Sequence, residues 1–272
     1  MIPTTFDYVR ATSVDDALAR IAGDDDAKLL AGGHSLLPIM KLRMATPTAL
    51  VDISGLRELS GLAVRGDVLH IGAGVRYRDL ERSDLVRTGV PLLAHAASTI
   101  GDPQVRSRGT IGGSVVHADP AADLPAVLLA LGATMVMRGP NGERSVPVEE
   151  FFVDFWETAL QPDEVLIEIQ VPTRRDEPWS YQKFRQRAQE WAIVGVAAQG
   201  GPETTVTLVN MASTPLRAAA TEAALAGGAS RDEAAALADE GTSPSDDLRA
   251  DVIYRRHLCR TLVGRALAEL AR

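Results

Sequence analysis

The order of apolar and polar positions in the first 55 residues predicts a helix followed by a strand–helix–strand unit. Ser13 precedes apolar residues at helical spacing, so we expect it to cap a helix that ends near Gly23. The segments AKLLAGG (27–33) and ALVDI (49–53) have the length and apolar content of buried strands, and SLLPIMKLRM (35–44) between them is helical in pattern. This order favours a small α/β unit with parallel strands.

From residue 56 onward, alternating apolar positions predict two β-hairpins. LAVRG and VLHIGAGV meet at a Gly-Asp turn (66–67), and ATMVMRG and ERSVPV meet at a Pro-Asn-Gly turn (140–142). A later strand, EVLIEIQVP, alternates as well. The apolar residues expected on one face of it are Val165, Ile167, Ile169 and Val171.

Helical patterns fill the space between these hairpins. RYRDLERS, PLLAHAASTI and PAVLLALG each place apolar residues at helical spacing. Pro103 and the glycines between positions 109 and 113 interrupt the pattern and predict a long irregular connection. Such a connection is a natural ligand contact.

The pattern of predicted elements changes at PTRRDEP (172–178), a segment that has the composition of a linker. After it come three predicted strands, YQKFRQR, WAIVGVAA and TTVTLVNM. Helices are predicted over about 216–225, 231–239 and 251–271.

We place the domain boundary in this linker. The first domain is expected over 1–175, with subdomains of about 1–55 and 56–175. The second, over 176–272, is a smaller α+β domain with a three-stranded sheet and helices. The predicted fold class of the whole chain is α+β.

Charge, hydrophobicity and cysteine content argue against several classes of partner and site. The net charge is −8, the pI is near 5.2 and the basic residues are dispersed, which argues against a nucleic-acid partner. The chain shows no apolar run of about 20 residues and no signal peptide at MIPTTFDYVRAT, so a cytoplasmic protein without a transmembrane segment is expected. The only cysteine, Cys259, and five histidines without ligand spacing predict no metal site and no iron–sulfur cluster in this chain.

Two glycine loops carry the candidate chemistry. AGGHS (31–35) lies where a predicted strand turns into a helix, and RGTIGGS (108–114) repeats the paired glycines between hydroxyl residues. Glycine permits positive φ and close backbone approach, and free N–H groups at a helix start attract anions. The loops therefore suggest a clamp for a diphosphate. The alternative is ordinary turn chemistry, with Ser35 as a helix cap.

Two further motifs are weaker candidates for a ligand site. GAGVRY (72–77) begins like the dinucleotide fingerprint, but Tyr77 occupies its third glycine position and no acidic residue follows at the required distance. In VHADPAADLP (116–125), Asp123 is able to accept hydrogen bonds from a ribose or from loop amides, and capping is the alternative for both Asp119 and Asp123. His117 has no nucleophile nearby in sequence and receives no role.

Taken together, AGGHSLLPIMKLRMATPTALVDIS and IGDPQVRSRGTIGGSVVHADPAADLPA resemble the flavoprotein (medium) subunit of aerobic carbon monoxide dehydrogenase and its relatives. These belong to the molybdenum hydroxylase family, which includes xanthine dehydrogenase. The likeness continues through EVLIEIQVP, YQKFRQRAQEWAIVGVA and LVNMASTPLRA and covers nearly the whole chain. It implies an FAD-binding fold of the vanillyl-alcohol-oxidase (PCMH) type in two subdomains, followed by a smaller C-terminal domain that covers the flavin.

Carried over position by position, the resemblance implies that FAD contacts both glycine loops and several single residues. The loop residues are Leu30, Ala31, Gly32, Gly33, His34, Ser35, Leu36, Thr110, Ile111, Gly112, Gly113 and Ser114. The single residues are Ile100, Asp123 as a hydrogen-bonding partner, Leu166, Lys183 and Trp191 near the isoalloxazine. For Trp191 the alternative is core packing, because a tryptophan before AIVGVAA is expected to be buried. No catalytic acid–base pair is implied.

The function implied by the resemblance is electron transfer. Electrons would come from a molybdenum cofactor on a large molybdopterin subunit, cross 2Fe-2S clusters on a small subunit, and leave through FAD to NAD, a quinone or oxygen. The complex is expected to be a dimer of heterotrimers, and loose membrane association through it stays open. Two alternatives stay open as well: a free-standing FAD-dependent oxidoreductase, and a non-catalytic nucleotide-binding or assembly protein without flavin. The substrate is not determined by this chain.

Overall fold

Three main β-sheets follow one another along residues 2–272, the part of the chain that this computed structural model describes. The first unit consists of β1 (Asp7–Arg10), α1 (Val14–Ile21), β2 (Lys28–Leu30), α2 (Leu36–Lys41) and β3 (Ala49–Asp52). Both β1 and β2 pair with β3 in parallel, in the order β1-β3-β2. The predicted parallel unit is therefore confirmed, as is the Ser13 cap, which accepts from the Asp16 amide.

Strand β1 was not expected from the sequence. Its four residues DYVR are mostly exposed, so they show neither the apolar run of a buried strand nor a clean alternation. Pairing with β3 alone makes it a strand.

The middle unit is built around a five-stranded antiparallel sheet in the order β4-β5-β10-β6-β7. Both predicted hairpins are confirmed. The elements of the unit are β4 (Leu62–Arg65), β5 (Val68–Gly72), α3 (Tyr77–Arg82), α4 (Asp84–Gly89), α5 (Pro91–Ser98), α6 (Pro103–Arg108), α7 (Ile111–His117), α8 (Asp123–Leu131), β6 (Thr134–Gly139), β7 (Gly142–Pro147), α9 (Val148–Phe151), β8 (Phe152–Asp154), β9 (Glu157–Thr158) and β10 (Val165–Pro172).

The irregular connection predicted between Pro103 and the glycines is wrong, because it folds as α6 and α7. Asp102 caps α6 by accepting from the Val105 amide, and Thr110 caps α7 by accepting from the Gly113 amide. Pro103 occupies the start of α6, where its missing N–H costs nothing. The side-chain caps thus begin two short helices in a segment rich in helix-breaking residues.

Strand β10 also departs from the expected pattern. A bulge between Leu166 and Glu168 shifts the register against β6. As a result Leu166, Ile169 and Val171 share the core of the middle unit, whereas Val165 packs in the core of the first unit. The prediction that Val165 and Ile169 share a face is therefore wrong.

The third unit consists of β11 (Trp179–Phe184), β12 (Val194–Gln199), β13 (Thr205–Val209), β14 (Leu216–Arg217), α10 (Ala219–Ala226), α11 (Arg231–Ala236) and α12 (Val252–Glu269). Its sheet has the order β11-β12-β13-β14, so the predicted count of three strands is one too few. The missed strand, β14, is only two residues long. None of the helices described between residues 2 and 272 combines the length and hydrophobicity needed to cross a membrane.

Helix α8 joins the middle and third units. All nine of its residues are buried, which is typical of a helix that is covered on every side. From β13, the Thr205 hydroxyl donates to Ala130 O (2.8 Å) and the Thr207 hydroxyl donates to Ala126 O (2.7 Å). The C-terminal sheet is thus fixed on the helix that begins with Asp123.

Candidate functional site

The loop between β2 and α2 presents a row of unpaired hydrogen-bond donors. Among the hydrogen bonds formed by residues 2–272, none uses the amide N–H groups of residues 32–36 as donors. Gly33 has a φ of +73°, which the residue type tolerates at no steric cost. The Ser35 side chain makes no capping hydrogen bond to α2, so capping is not its role. This loop therefore has the donor set that an anion requires.

The two glycine loops touch each other. A Cβ added to Gly32 would lie 2.4 Å from Arg108 O and 2.9 Å from Gly109 Cα. Separations this short are incompatible with any side chain at position 32. Gly32 and Arg108, which are 76 positions apart in sequence, thus lie at one surface, as the repeated motif suggests.

The second loop uses its donors differently from the first. Ile111 N donates to Val75 O, Gly112 N donates to Ala73 O (both 2.9 Å), and Gly113 N donates to the Thr110 hydroxyl (3.1 Å). The first amides of α7 are therefore already paired with protein acceptors. A ligand at this loop would have to use the Thr110 hydroxyl hydrogen and the half-buried Ser114 side chain.

A buried ion pair lies between the middle and third units. Lys183 Nζ is 2.7 Å from Asp123 Oδ2, and both side chains are 5% exposed. The Tyr181 hydroxyl donates to the other oxygen of Asp123. Burial raises the pKa of Asp123, and the Lys183 ammonium opposes that rise. Asp123 is therefore held by the C-terminal sheet and does not act as a cap.

The same cluster reaches the end of α5. Lys183 Nζ donates to Thr99 O (3.3 Å), and Arg185 donates to the same oxygen (3.0 Å). Ile100 follows directly and packs against the core of the middle unit. The structure thus brings together Ile100, Asp123 and Lys183, three residues that are far apart in sequence.

A separate polar cleft of about 490 Å³ is lined by His70, Glu168 and Gln170, among others, and by none of the predicted site residues. His70 Nδ1 is 2.8 Å from Glu168 Oε1, and the Gln170 amide donates to the same oxygen (2.9 Å). These side chains are therefore already hydrogen-bonded to one another. The glycine loops, with their unpaired donors, remain the better candidate for a ligand site.

Two family models together cover most of the chain. Residues 4–174 match the FAD binding domain in molybdopterin dehydrogenase, and residues 179–270 match the CO dehydrogenase flavoprotein C-terminal domain. The chain belongs to this flavoprotein family. The expected α+β flavoprotein fold, the oxidoreductase class and the FAD cofactor are thereby confirmed.

Relatives of this flavoprotein family match along their whole length. The medium chain of carbon monoxide dehydrogenase from Hydrogenophaga pseudoflava is 41% identical over 279 residues, covering 98% of this chain and 97% of the relative. The medium chain of glyceraldehyde dehydrogenase from Sulfolobus acidocaldarius is 36% identical over 281 residues and covers 100% of both chains. A solved structure of the H. pseudoflava enzyme lacking the Mo-pyranopterin moiety matches with a TM-score of 0.95 and 43% identity, covering 100% of this chain and 99% of that one.

The residues of this chain fit an FAD diphosphate. The unpaired amides of residues 32–36 and the Ser35 hydroxyl supply donors at the start of α2. Arg108, whose backbone contacts Gly32, is exposed and forms no ion pair among the described residues. Unpaired amide and hydroxyl donors at the start of a helix match the chemistry of a diphosphate.

Three other predicted contacts have clear positions. Leu166 is buried in the core of the middle unit, and the next residue is tied to Ala73, since Ala73 N donates to Ile167 O (3.0 Å). His34 is exposed and its Nδ1 lies 3.1 Å from Gly32 O. Trp191 is 44% exposed in the connection between β11 and β12, so the expectation that it is buried is wrong. Its indole is accessible to a ligand or a partner.

Sequence reasoning missed Tyr77 and Tyr181. Tyr181 holds Asp123, and an alternating strand gives no signal of such a partner. Tyr77 is buried, and a Cβ added to Gly109 would lie 2.5 Å from its ring. The motif GAGVRY (72–77) contains Tyr77, but its local pattern does not indicate a contact with Gly109, which is 32 positions away.

Proposed function

We propose that this chain is the electron-exit subunit of a molybdenum hydroxylase complex. The two glycine loops would hold FAD, which would supply the redox chemistry for moving electrons from 2Fe-2S clusters of a small partner subunit to NAD, a quinone or oxygen. Hydroxylation takes place at the molybdenum cofactor of a large partner subunit. The complex is a dimer of heterotrimers.

The observation that carries the proposal is the row of unpaired amides in residues 32–36. When bound, FAD supplies the redox chemistry. The chain's own residues bind the cofactor and orient it: the amides of residues 32–36 and Ser35 hold the diphosphate, and Thr110 and Ser114 contact it from the second loop. The remaining proposed contacts are Leu30, Ala31, Ile100, Ile111, Gly112, Gly113, Asp123, Leu166, Lys183 and Trp191.

We also propose that the chain consists of an FAD-binding domain over 1–175, with subdomains of about 1–55 and 56–175, and a C-terminal domain over 176–272. In support, each of the three main sheets draws its strands from one of these ranges. The Asp123–Lys183 pair and the contacts between α8 and β13 would then hold the C-terminal domain against the flavin-binding one.

We infer partner subunits because this chain cannot hold all the cofactors of the proposed complex. One cysteine cannot supply the four thiolates that a 2Fe-2S cluster takes, and burial raises the pKa of the Cys259 thiol to about 12. The relatives named above are medium chains of a carbon monoxide dehydrogenase and of a glyceraldehyde dehydrogenase, so similar chains serve different substrates. The substrate is therefore chosen outside this chain.

Purification of the native complex tests this assembly. We expect the chain to copurify with iron, molybdenum and FAD in one fraction, which metal analysis and the flavin absorption bands would detect. Turnover of an organic substrate by the isolated chain would favour a free-standing oxidoreductase. A colourless chain that takes up no added FAD would favour a non-catalytic nucleotide-binding protein.

Gly32→Val tests the site itself, with Gly23→Val as the matched control. A side chain at position 32 must displace the backbone of Arg108, so we expect FAD content to fall at least tenfold in a protein that still folds. Gly23 has open space around it and ordinary φ, so its variant should keep its FAD. Normal FAD content in a folded Gly32→Val protein would refute the proposed site.

A further inference from the structure

The connection between β11 and β12 is anchored at its last two residues, Ala192 and Ile193. Asn210, which directly follows β13, donates from its side-chain Nδ2 to Ala192 O (2.9 Å) and to Ile193 O (3.2 Å). Arg255, whose side chain is fully buried on α12, also donates to Ile193 O. Two side chains from other elements thus hold consecutive carbonyl groups of this connection.

Apolar packing fixes the same place. The Ala192 side chain is 1% exposed and packs with Ala126 of α8 and Val209 of β13. The preceding residue, Trp191, is 44% exposed. A residue docked on α8 is therefore directly followed back along the chain by an accessible indole. Helix α8 begins with Asp123, a proposed FAD contact.

Asn210 also contacts the middle unit through its own backbone. Its amide N donates to Pro120 O (2.9 Å), in the turn that precedes α8. Its φ of +62° lies in the left-handed region, which asparagine adopts more readily than most residues. In this conformation one residue bonds the turn before α8 through its amide and the β11–β12 connection through its side chain.

We propose that Asn210 is a positioning residue for Trp191: it fixes the β11–β12 connection relative to the turn before α8, and so holds the indole at the flavin site. The proposal rests on the proposed function, in which Trp191 contacts FAD. Asn210 itself acts on the cofactor only through Ala192, Ile193 and the indole that precedes them.

The test compares Asn210→Gly with Thr205→Val in the full chain. Glycine adopts the left-handed conformation without strain and keeps the backbone bond to Pro120, but it loses both side-chain bonds. Thr205 lies at the opposite end of β13 and also donates a side-chain hydrogen bond to a backbone oxygen, Ala130 O (2.8 Å). The control therefore loses a contact of the same kind, between the same strand and α8, without affecting the anchored connection.

The indole is observed directly by ¹⁹F NMR after its three tryptophans are replaced by 5-fluorotryptophan, with Trp191→Ala to identify the resonance. We expect the Trp191 resonance to shift in Asn210→Gly and to stay fixed in Thr205→Val, with thermal unfolding as the check on folding. Adding FAD to millimolar concentration should move this resonance in the wild-type chain. Asn210→Gly should weaken FAD binding about 2- to 10-fold, the range expected for loss of a hydrogen bond, and Thr205→Val should leave it unchanged.

A double-mutant cycle with Trp191→Ala separates positioning from general stability. If Asn210 acts through the indole, Asn210→Gly has no further effect on FAD affinity once Trp191 is alanine. Asn210→Asp provides a second variant, because aspartate keeps the size of the side chain and tolerates the left-handed conformation but has no N–H to donate.

Four outcomes decide the matter. An unshifted Trp191 resonance or wild-type FAD affinity in a folded Asn210 variant would overturn the positioning role, and so would full additivity in the cycle. Loss of folding in both Asn210 variants would show a general structural role and would also overturn it. Failure of the wild-type chain to bind FAD at millimolar concentration would instead contradict the proposed function.

Discussion

At Gly32 and Gly112, protein backbone occupies the space that a side chain would need. A Cβ on Gly32 would lie 2.4 Å from Arg108 O, and a Cβ on Gly112 would lie 2.6 Å from Ala73 O. Paired glycines in a sequence indicate close approach, but they do not identify the approaching group. In this chain the glycines allow the two loops to pack together and onto residues 73–77. The amides of residues 32–36 donate to no described protein acceptor, whereas Ile111 N, Gly112 N and Gly113 N in the second loop are paired.

At the same scale, we expect Lys183→Met to destabilise the protein by about 3 kcal/mol, because it leaves the buried Asp123 carboxylate without its countercharge. Urea unfolding at pH 7 measures this loss. The double variant Asp123→Asn with Lys183→Met should recover part of it. Equal losses in the single and double variants would contradict the pairing.

The pH dependence of Lys183→Met follows from the raised pKa of Asp123. A carboxyl whose pKa is higher in the folded than in the unfolded state keeps its proton longer when folded, so stability falls as pH rises through that interval. Without Lys183 the largest opposing effect on the pKa of Asp123 is lost, and only the Tyr181 hydrogen bond and the Arg185 charge still oppose the rise. Relative to wild type, the variant should therefore gain stability when the pH is lowered from 8 to 5, as repeated urea titrations would show.

At the scale of elements, α7 shows how a glycine-containing segment becomes helical. Its sequence IGGSVVH has two glycines, each of which costs about 1 kcal/mol relative to alanine in a helix interior. The Thr110 cap and the hydrogen bonds that Ile111 N and Gly112 N donate to Val75 O and Ala73 O begin the helix at a fixed position. The local composition predicts a loop, but the hydrogen bonds to residues distant in sequence stabilise a helix.

We expect Thr110→Ala to reduce the free energy of unfolding by about 1 kcal/mol, because the Gly113 amide loses its acceptor. Thr110→Ser keeps the hydroxyl and should cost less than half of that. Urea denaturation of the two variants provides the comparison. An equal cost for serine and alanine would show that the cap does not stabilise α7.

At the scale of the whole molecule, α8 and the Asp123 cluster join the C-terminal sheet to the middle unit. The core of the middle unit includes Tyr181 and Ala197 from that sheet, and Asn210 N donates to Pro120 O (2.9 Å). A shared core of this kind favours unfolding in a single transition.

Cys259 reports on that cooperativity. It is buried on α12, and burial raises the pKa of its thiol to about 12, so the thiolate that reacts with disulfide reagents is scarce in the folded protein at pH 8. We expect the thiol to become reactive at the urea concentration at which the far-UV circular dichroism is lost. Cys259→Ser gives the background. Labelling well below that concentration would mean that the C-terminal unit opens separately.

Several features of this protein were readable from sequence because they depend on neighbouring residues. Both hairpins, the Ser13 cap and the parallel α/β unit follow from turn residues, caps and apolar spacing over a few positions. The repeated glycine motif also indicated correctly that two distant loops meet. The identity of the ligand required the resemblance to the flavoprotein family, because turn chemistry and diphosphate binding use the same residues.

The tertiary structure alone decided the features that depend on distant partners. Lys183 and Asp123 are 60 positions apart, and only the docking of the C-terminal sheet on α8 brings the charges together out of water. The bulge in β10 reassigns Val165 to another core, and the course of the chain after β11 leaves Trp191 exposed. In each case the deciding contacts come from elements remote in sequence, whose approach no local pattern encodes.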